Sequence, residues 1–225
     1  MVNAVDAGWI FGSQEGAMTP YYSKDGIVLY CGDNREILPE LGRFDLLLTD
    51  PPFGHGERWQ GGTWGAAAMY KDAMKWDQKT PSVDTINNCL LAAESSIVWG
   101  GNYFSLPPSR CWLSWEKTSR MATLADFELA YTSMDRPSKA FVEDRNSDGK
   151  RVHPTQKPLS LMRWCLQFVP DAQTILDPFA GSGTTLLAAK LEGRQCTGIE
   201  ISEDYCRIAV ERLKQGVFNF AEADA

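Results

Sequence analysis

The stretch LLLTDPPFGHG (residues 46–56) joins an apolar strand to a turn that neither a sheet nor a helix continues smoothly. A strand buried on both faces reads as an unbroken apolar run, so residues 44–50 are predicted to form a parallel strand. The prolines after Asp50 fix φ and carry no N–H group, which stops the strand and stiffens the backbone beyond it. The stretch therefore predicts a rigid turn at the carboxyl end of a buried strand, with an acid and an aromatic ring at fixed places.

Apolar runs and helical periodicity alternate along the rest of the chain, and this alternation is typical of an α/β fold with a mostly parallel sheet flanked by helices. A loop is predicted over residues 54–80, and Ser82 is predicted to cap the helix after it. Pro158 is expected as the first residue of its helix. The predicted strands are 27–33, 44–50, 96–101, 111–117, 126–133, 174–179 and 195–200, and the predicted helices are 35–41, 83–94, 159–169, 184–192 and 202–216.

Acids close four of the predicted strands: Asp33, Asp50, Asp177 and Glu200. Any one of them could simply begin a turn. In a doubly wound sheet, however, ligands bind beyond the carboxyl ends of the strands, where the strand order reverses. Four acids at four such ends therefore predict a ligand-binding edge.

A glycine motif follows one of these acids in LDPFAGSGTT (residues 176–185). Gly181 and Gly183 stand between a strand and a helix, where backbone can approach a ligand closely. No G-K-[ST] follows, so the motif is not a P-loop, and the third glycine of a dinucleotide fingerprint is missing. Glu200 follows the glycine motif at the sequence spacing expected of an acid that accepts hydrogen bonds from ribose hydroxyls. Together these features favour S-adenosylmethionine (SAM) over NAD or ATP.

Three motifs, DPPF (50–53), HPTQKP (153–158) and DPFAGSGTT (177–185), together resemble the amino-group DNA methyltransferases, which methylate N6 of adenine or N4 of cytosine. Their order resembles the β group of that family, whose motifs are circularly permuted. The resemblance covers roughly residues 27–214 and implies a circularly permuted class I SAM-dependent methyltransferase fold. The length of the chain predicts a single domain over residues 1–225. It also implies that the strands ending at Asp50 and Asp177 are neighbours.

The resemblance implies the site residues as well. Asp50, Pro51, Pro52 and Phe53 are the expected catalytic residues: the Asp50 carboxylate and the Pro51 carbonyl accept hydrogen bonds from the target amino group, and Phe53 stacks on the base. Asn102 and Tyr103 either help to hold the base or belong to the core. The expected cofactor-binding residues are Asp33, Asp50, His153, Lys157, Asp177, Phe179, Gly181, Gly183, Thr184 and Glu200.

The net charge of −7 argues mildly against a nucleic acid partner, but phosphate contacts need only a local basic patch. A short target-recognition insert is expected around residues 118–152. It holds a basic cluster that either contacts DNA or is a solvated loop. With so short an insert, the recognised sequence is short or relaxed, or a second subunit completes recognition, as in a homodimer. The cluster comprises Arg136, Lys139, Arg145, Lys150 and Arg151, with Arg110, Lys117 and Arg120 just upstream.

Composition limits the expected cellular location and the kinds of site in the protein. No apolar run reaches the roughly 18 residues of a membrane span, and the first residues lack a signal-peptide pattern, so a cytoplasmic location is expected. Six cysteines without a C-x-x-C pair, and only two histidines, argue against a metal site and a disulfide framework.

The expected function is SAM-dependent N6 methylation of adenine in double-stranded DNA with base flipping, in a bacterial restriction–modification or phage setting. Cytosine N4 methylation is the nearest alternative. The family's cytosine enzymes more often carry Ser where Asp50 stands, so Asp50 favours adenine. Methylation of RNA or of a protein amide is a further alternative. That activity would better suit the motif Asn-Pro-Pro-Tyr than the Asp-Pro-Pro-Phe of this chain. A non-catalytic DNA-binding or SAM-sensing subunit is the alternative from another class.

Overall fold

The computed structural model describes residues 18–55, 77–119, 125–144 and 156–215. Within them, strands and helices alternate along the chain. Two short 3-10 helices lie at Leu38–Glu40 and Gly101–Tyr103. In chain order the elements are β1 (Tyr22–Lys24), β2 (Ile27–Cys31), α1 (Asn34–Ile37), β3 (Phe44–Thr49), α2 (Val83–Leu91), β4 (Ala93–Trp99), β5 (Trp112–Glu116), β6 (Phe127–Thr132), β7 (Lys139–Val142), α3 (Leu159–Phe168), β8 (Thr174–Asp177), α4 (Thr184–Leu191), β9 (Gln195–Glu200) and α5 (Glu203–Gln215).

The described strands form one sheet in the order β1-β2-β9-β8-β3-β4-β6-β5-β7. From β2 to β4 all pairings are parallel, and β6 then runs antiparallel to both β4 and β5. Strands β3 and β8 are direct neighbours, with Leu46 opposite Ile175. The expected adjacency of the strands ending at Asp50 and Asp177 is thus confirmed, and so is the mostly parallel α/β sheet.

The apolar run of β3 is buried on both faces of the sheet. Leu46 and Leu48 pack in a core cluster with Leu161 of α3, whereas Leu47 joins a second cluster with Ile37 of α1. Successive side chains of a strand point to opposite faces, so a strand covered on both sides needs apolar residues at every position. This packing explains the uninterrupted Leu46-Leu47-Leu48 run.

Local signals place most helix ends correctly. The Ser82 hydroxyl accepts a hydrogen bond from the Thr85 backbone N–H (3.1 Å) and caps α2, as predicted. The helix ends at Leu91 rather than at residue 94, because the chain enters β4 at Ala93. Pro158 is the N-cap of α3 rather than its first residue.

Two short strands were not predicted. Strand β1 forms a hairpin with β2, and its turn contains Asp25 (φ 54°) and Gly26 (φ 76°). An Asp-Gly pair is a strong hairpin signal, so this turn was readable from the sequence. Strand β7 pairs in parallel with β5. Strands β6 and β7 both fall within residues 118–152, so part of the range expected as a target-recognition insert belongs to the main sheet; the insert itself stays a prediction.

Candidate active site

A cavity of about 480 Å³ opens at the carboxyl ends of the parallel strands. All four strand-closing acids line it: Asp33, Asp50, Asp177 and Glu200. The crossover in strand order between β3 and β8 lies at this edge, where a doubly wound sheet binds its ligand. Further lining residues that the sequence singled out are Pro51, Pro52, Phe53, Lys157, Phe179, Gly181 and Thr184. His153 lies outside the described residues.

Asp177 joins the two central strands through neutral donors. Its Oδ1 accepts a hydrogen bond from the Thr49 hydroxyl (2.7 Å) and one from the Phe179 backbone N–H (3.2 Å). Burial raises the pKa of this carboxyl, and these hydrogen bonds partly offset the effect. Asp177 thereby fixes the end of β8 against β3 and shapes the loop that begins the glycine motif.

Glu200 holds the backbone of the glycine motif in the same way. Its Oε2 accepts a hydrogen bond from the Gly181 N–H and its Oε1 accepts one from the Ser202 N–H, each at 2.8 Å. Burial raises the pKa of Glu200, and the backbone donors oppose that rise. Each carboxylate oxygen has a second lone pair, so a ligand hydroxyl can still donate to Glu200.

The two glycines of the motif meet different surroundings. A Cβ on Gly181 would meet no atom within 4 Å, so this side of the loop is open toward the cavity it lines. Gly183 is not among the residues that line the cavity; it has φ +78°, and a Cβ there would lie 2.8 Å from the Ala209 side chain. Its glycine is required by the packing of α4 on α5 and by a left-handed backbone, rather than by approach to a ligand.

Asp33 caps α1 beside the cavity. Its carboxylate accepts a hydrogen bond from the Arg35 backbone N–H (2.9 Å) and pairs with the Arg35 guanidinium. This hydrogen-bonded pair lowers the pKa of Asp33. The next residue, Asn34, donates its side-chain amide to the Pro178 carbonyl (3.0 Å) and ties α1 to the D-P-F turn.

Asp50 has one oxygen held by a cation and the other without a partner. The Lys157 Nζ lies 2.6 Å from Oδ2, whereas Oδ1 is buried and accepts no hydrogen bond from the described part of the chain. Burial raises the pKa of Asp50 to about 6, and the ammonium of Lys157 opposes that rise. The expectation for Lys157 was a place in the cofactor pocket; the structure brings it to the cavity wall but in contact with Asp50.

Phe53 is held in an aromatic cluster at the cavity. Its ring stacks on Tyr103, with centroids 5.0 Å apart and planes 24° from parallel, and His55 contacts Tyr103 edge-on. Gly100 (φ +67°) lies beneath the ring, where a Cβ would come within 2.0 Å of Phe53 Cε1. Tyr103 is 44% exposed beside Phe53, so it does not belong to the core, and its contact with the target base stays a prediction.

Glu128 was missed by the sequence reasoning. It lies on β6, and its Oε2 is 3.1 Å from the same Lys157 Nζ that binds Asp50, while its Oε1 is 2.6 Å from Lys117 Nζ. Burial alone would raise the pKa of Glu128, but the two lysines outweigh it and lower that pKa to about 2. An acid inside an otherwise apolar strand pattern was the one signal that pointed to it.

The basic residues expected at DNA divide into several groups. Arg136 donates to the Phe168 carbonyl (2.9 Å) and lies over the Phe168 ring, so its guanidinium has a structural role. Lys117 binds Glu128, and Arg110 pairs on the surface with Asp135 (2.7 Å). Lys139 is exposed at the start of β7. The remaining residues of the set lie outside the described ranges: Arg120, Arg145, Lys150 and Arg151.

The described residues contain neither a membrane-spanning helix nor a cluster of metal-ligating side chains. None of their helices has the length and apolar character that a membrane crossing requires. Nor do they bring three or more His, Cys, Asp or Glu side chains together in an arrangement that could hold a metal ion.

Comparison with known proteins identifies the family. A family model described as DNA methylase matches residues 92–211. The type II methyltransferase M.ScaI of Streptomyces caespitosus is 27% identical over 87% of this chain and 84% of its own length. M.HindIII of Haemophilus influenzae is 50% identical over 68 residues, which are 30% of this chain and only 22% of that protein.

Solved structures share the fold at low identity. The M1.HpyAVI–SAM complex superposes with a TM-score of 0.57 at 21% identity, over 83% of this chain and 98% of that chain. The cytosine-N4-specific PvuII DNA methyltransferase gives a TM-score of 0.58 at 16% identity, over 86% and 88% of the two chains. The methylase model covers more than half of the chain, and the chain therefore belongs to the amino-group DNA methyltransferase family.

Proposed function

We propose that this chain transfers a methyl group from SAM to N6 of adenine in double-stranded DNA. The observation that carries the proposal is the state of Asp50 at the cavity wall. One of its oxygens is held by Lys157, whose Nζ lies 5.2 Å from the centroid of the Phe53 ring, and the other is buried and without a partner in the described part of the chain. A buried acceptor of this kind needs a donor, and the amino group of a flipped base is one.

The cavity suits SAM in volume and in charge. Five carboxylates and three basic side chains line it, so acids outnumber cations, which favours a ligand that carries a positive sulfonium. Glu200 would hold the ribose hydroxyls of SAM, and Asp33 would lie near the adenine ring of the cofactor. The open face of Gly181 would receive the methionine part of SAM. His153, Asp177, Phe179 and Thr184 complete the proposed cofactor set, and Gly183 would act through the packing of α4. When bound, SAM supplies an activated methyl group.

The residues of the D-P-P-F turn prepare the base for attack. The exocyclic nitrogen of adenine is a weak nucleophile because its lone pair is delocalised into the ring. Asp50 Oδ1 and the Pro51 carbonyl would accept its two N–H bonds and draw the nitrogen toward tetrahedral geometry, which frees the lone pair. Because Pro51 and Pro52 fix the backbone, these acceptors are preorganised for the transition state.

Asp50 also receives the proton that the nitrogen must lose. As the new N–C bond forms, the bond from the methyl carbon to the sulfonium sulfur breaks, the sulfur keeps the electron pair, and S-adenosylhomocysteine is the leaving group. The nitrogen becomes positively charged, and one of its protons would pass to Asp50 Oδ1. A carboxyl with a pKa of about 6 is ionised at neutral pH, yet it is a stronger base than an exposed aspartate. No covalent bond between the enzyme and the base is required.

Cytosine N4 methylation is the second candidate, and one finding favours it: a cytosine-N4-specific enzyme shares this fold at a TM-score of 0.58. The two reactions use the same chemistry on an exocyclic amino group. The carboxylate at residue 50 supports adenine, because the resemblance associates a serine at that place with the cytosine enzymes.

Contact with DNA rests on a few exposed cations rather than on overall charge. Of residues 136–151 of the predicted cluster, Lys139 is the one that the described part of the structure shows as exposed, and Arg110 upstream is exposed but pairs with Asp135. If it contacts a phosphate, Lys139→Ala lowers the slope of log affinity against log salt by about one. A homodimer would supply a second set of such contacts, and sedimentation at working concentration measures its presence.

The deciding experiment is single-turnover transfer of labelled methyl from SAM to duplex DNA, followed by nucleoside analysis. Label on N6-methyladenine supports the proposal, and label on N4-methylcytosine supports the second candidate. A parallel thermal-shift assay tests the cofactor: SAM should raise the melting temperature, as linkage requires, and Glu200→Ala should largely abolish the shift. Stabilisation by NAD or ATP but not by SAM would contradict the cofactor assignment.

A further inference from the structure

Four side chains of alternating charge form a continuous row behind the D-P-P-F turn. Lys117 Nζ is 2.6 Å from Glu128 Oε1, Glu128 Oε2 is 3.1 Å from Lys157 Nζ, and Lys157 Nζ is 2.6 Å from Asp50 Oδ2. The side chain of Lys157 is only 3% exposed. A lysine this deeply buried is stable only when its charge is paired, and here two carboxylates share it.

The row joins parts of the fold that are distant in sequence. Asp50 follows β3, Glu128 lies on the antiparallel strand β6, and Lys157 precedes α3. The Lys157 Nζ also lies 5.2 Å from the centroid of the Phe53 ring. A single ammonium therefore contacts both functional side chains of the D-P-P-F turn.

We propose that Lys157 and Glu128 are positioning residues for Asp50. Lys157 binds Oδ2 and so directs Oδ1 toward the amino group of the base, and Glu128 holds Lys157 in place from the other side. The inference rests on the proposed function for its catalytic consequence, but the arrangement itself can be tested without any methyl transfer.

The two positioning residues affect the charge of Asp50 in opposite directions. Three charged groups of the described chain face it: the ammonium of Lys157 favours ionisation, whereas the carboxylates of Glu128 and Asp177 oppose it. Removing Lys157 should therefore raise the pKa of Asp50, and removing the charge of Glu128 should lower it. A residue that merely filled space would produce neither shift.

The test is a titration of Asp50 by 13C NMR in protein labelled at the aspartate carboxyl carbons, with Asp50→Asn identifying the signal. Lys157→Met should raise the midpoint by about 1 to 3 pH units, the usual effect of an adjacent opposite charge. Glu128→Gln should move the midpoint downward. The double variant should lie above the wild type and below Lys157→Met, because Lys157 has the larger effect.

Lys190→Met is the matched control, because Lys190 of α4 is another ion-paired lysine of low exposure. Its partner is Asp25 in the turn between β1 and β2 (2.9 Å), so it does not contact Asp50. In this variant the titration midpoint of Asp50 should equal that of the wild type. If Lys157→Met does not fold, Glu128→Gln and the double variant still give shifts of opposite sign. An Asp50 midpoint that stays unchanged in those variants overturns the inference, whatever the activity of the protein.

Single-turnover methyl transfer then tests the catalytic consequence. The acid limb of the rate profile should follow the NMR midpoints, upward for Lys157→Met and downward for Glu128→Gln. Midpoints that move while the limbs stay fixed would overturn the positioning role. A wild-type protein that methylates no DNA would overturn the proposed function, and the titration would still report separately on the pairing.

Discussion

Four largely buried carboxylates near the cavity fall into two groups on either side of the sheet centre. Toward β9, Asp177 and Glu200 are held by backbone N–H groups and a hydroxyl, all neutral donors. Toward β6, Asp50 and Glu128 are held by lysine ammonium groups. Neutral donors fix the geometry of the loop that begins the glycine motif, whereas a shared cation also favours the ionised form of the carboxylate that it binds. Under the proposed function, the first group belongs to a binding half of the site and the second to a chemical half.

The largest effect should come from the chemical half. Asp50→Ala should lower the single-turnover rate of methyl transfer by about 10²–10³, because it removes a preorganised group that acts mainly in the transition state. SAM should still raise the melting temperature of the variant, since Glu200 and Gly181 remain. Methyl transfer at the parental rate would contradict the division into two halves.

A substitution in the binding half should lower the free energy of unfolding. In Glu200→Gln, an amide NH₂ replaces one oxygen that accepts a backbone N–H, which leaves a donor facing a donor. The free energy of unfolding, measured in denaturant, should fall by about 1–3 kcal/mol, and the melting shift with SAM should shrink. Glu192→Gln is the control, because Glu192 pairs with the partly exposed Arg163, and its loss should change stability by less than about 1 kcal/mol.

The pH dependence of the rate sharpens the same contrast. The pKa of Asp50 is raised from 3.8 to about 6, so the ionised form required for catalysis is lost as the pH falls through about 6. Below that point the single-turnover rate should fall about tenfold for each pH unit, as the ionised fraction does. A rate that is flat down to pH 4.5 in protein that stays folded would show that Asp50 titrates as an ordinary exposed acid.

The smallest effect should come from an ion pair on the surface. The side chains of Arg110 and Asp135 are 80% and 75% exposed, so water screens their attraction. Arg110→Ala should change the free energy of unfolding by less than about 1 kcal/mol, and Asp135→Ala should do the same. A loss of several kcal/mol in thermal or chemical denaturation would mean that Arg110 is not a simple surface charge.

Most of the parallel half of the fold could be read from the sequence. The apolar runs that form β2, β3, β8 and β9 and the acids that close them are local patterns, and so is the Ser82 cap. The two edge strands, β1 and β7, were not predicted because they have only three and four residues, too few for a periodic pattern. The Asp25-Gly26 turn is a local signal for the pairing of β1 with β2, whereas the parallel pairing of β7 with β5 joins segments that no turn signal connects.

The sequence by itself determined the cavity edge, the D-P-P-F turn and the glycine motif, because strand period, proline and glycine act over a few residues. Only the tertiary structure decided which charges meet. Asp50 and Lys157 are 107 residues apart, yet they form an ion pair, and Glu128 joins them from a third segment. Similarly, the glycine at residue 183 is explained by Ala209 of α5. A buried charge takes the partner that folding brings within about 3 Å, and no local pattern specifies that partner.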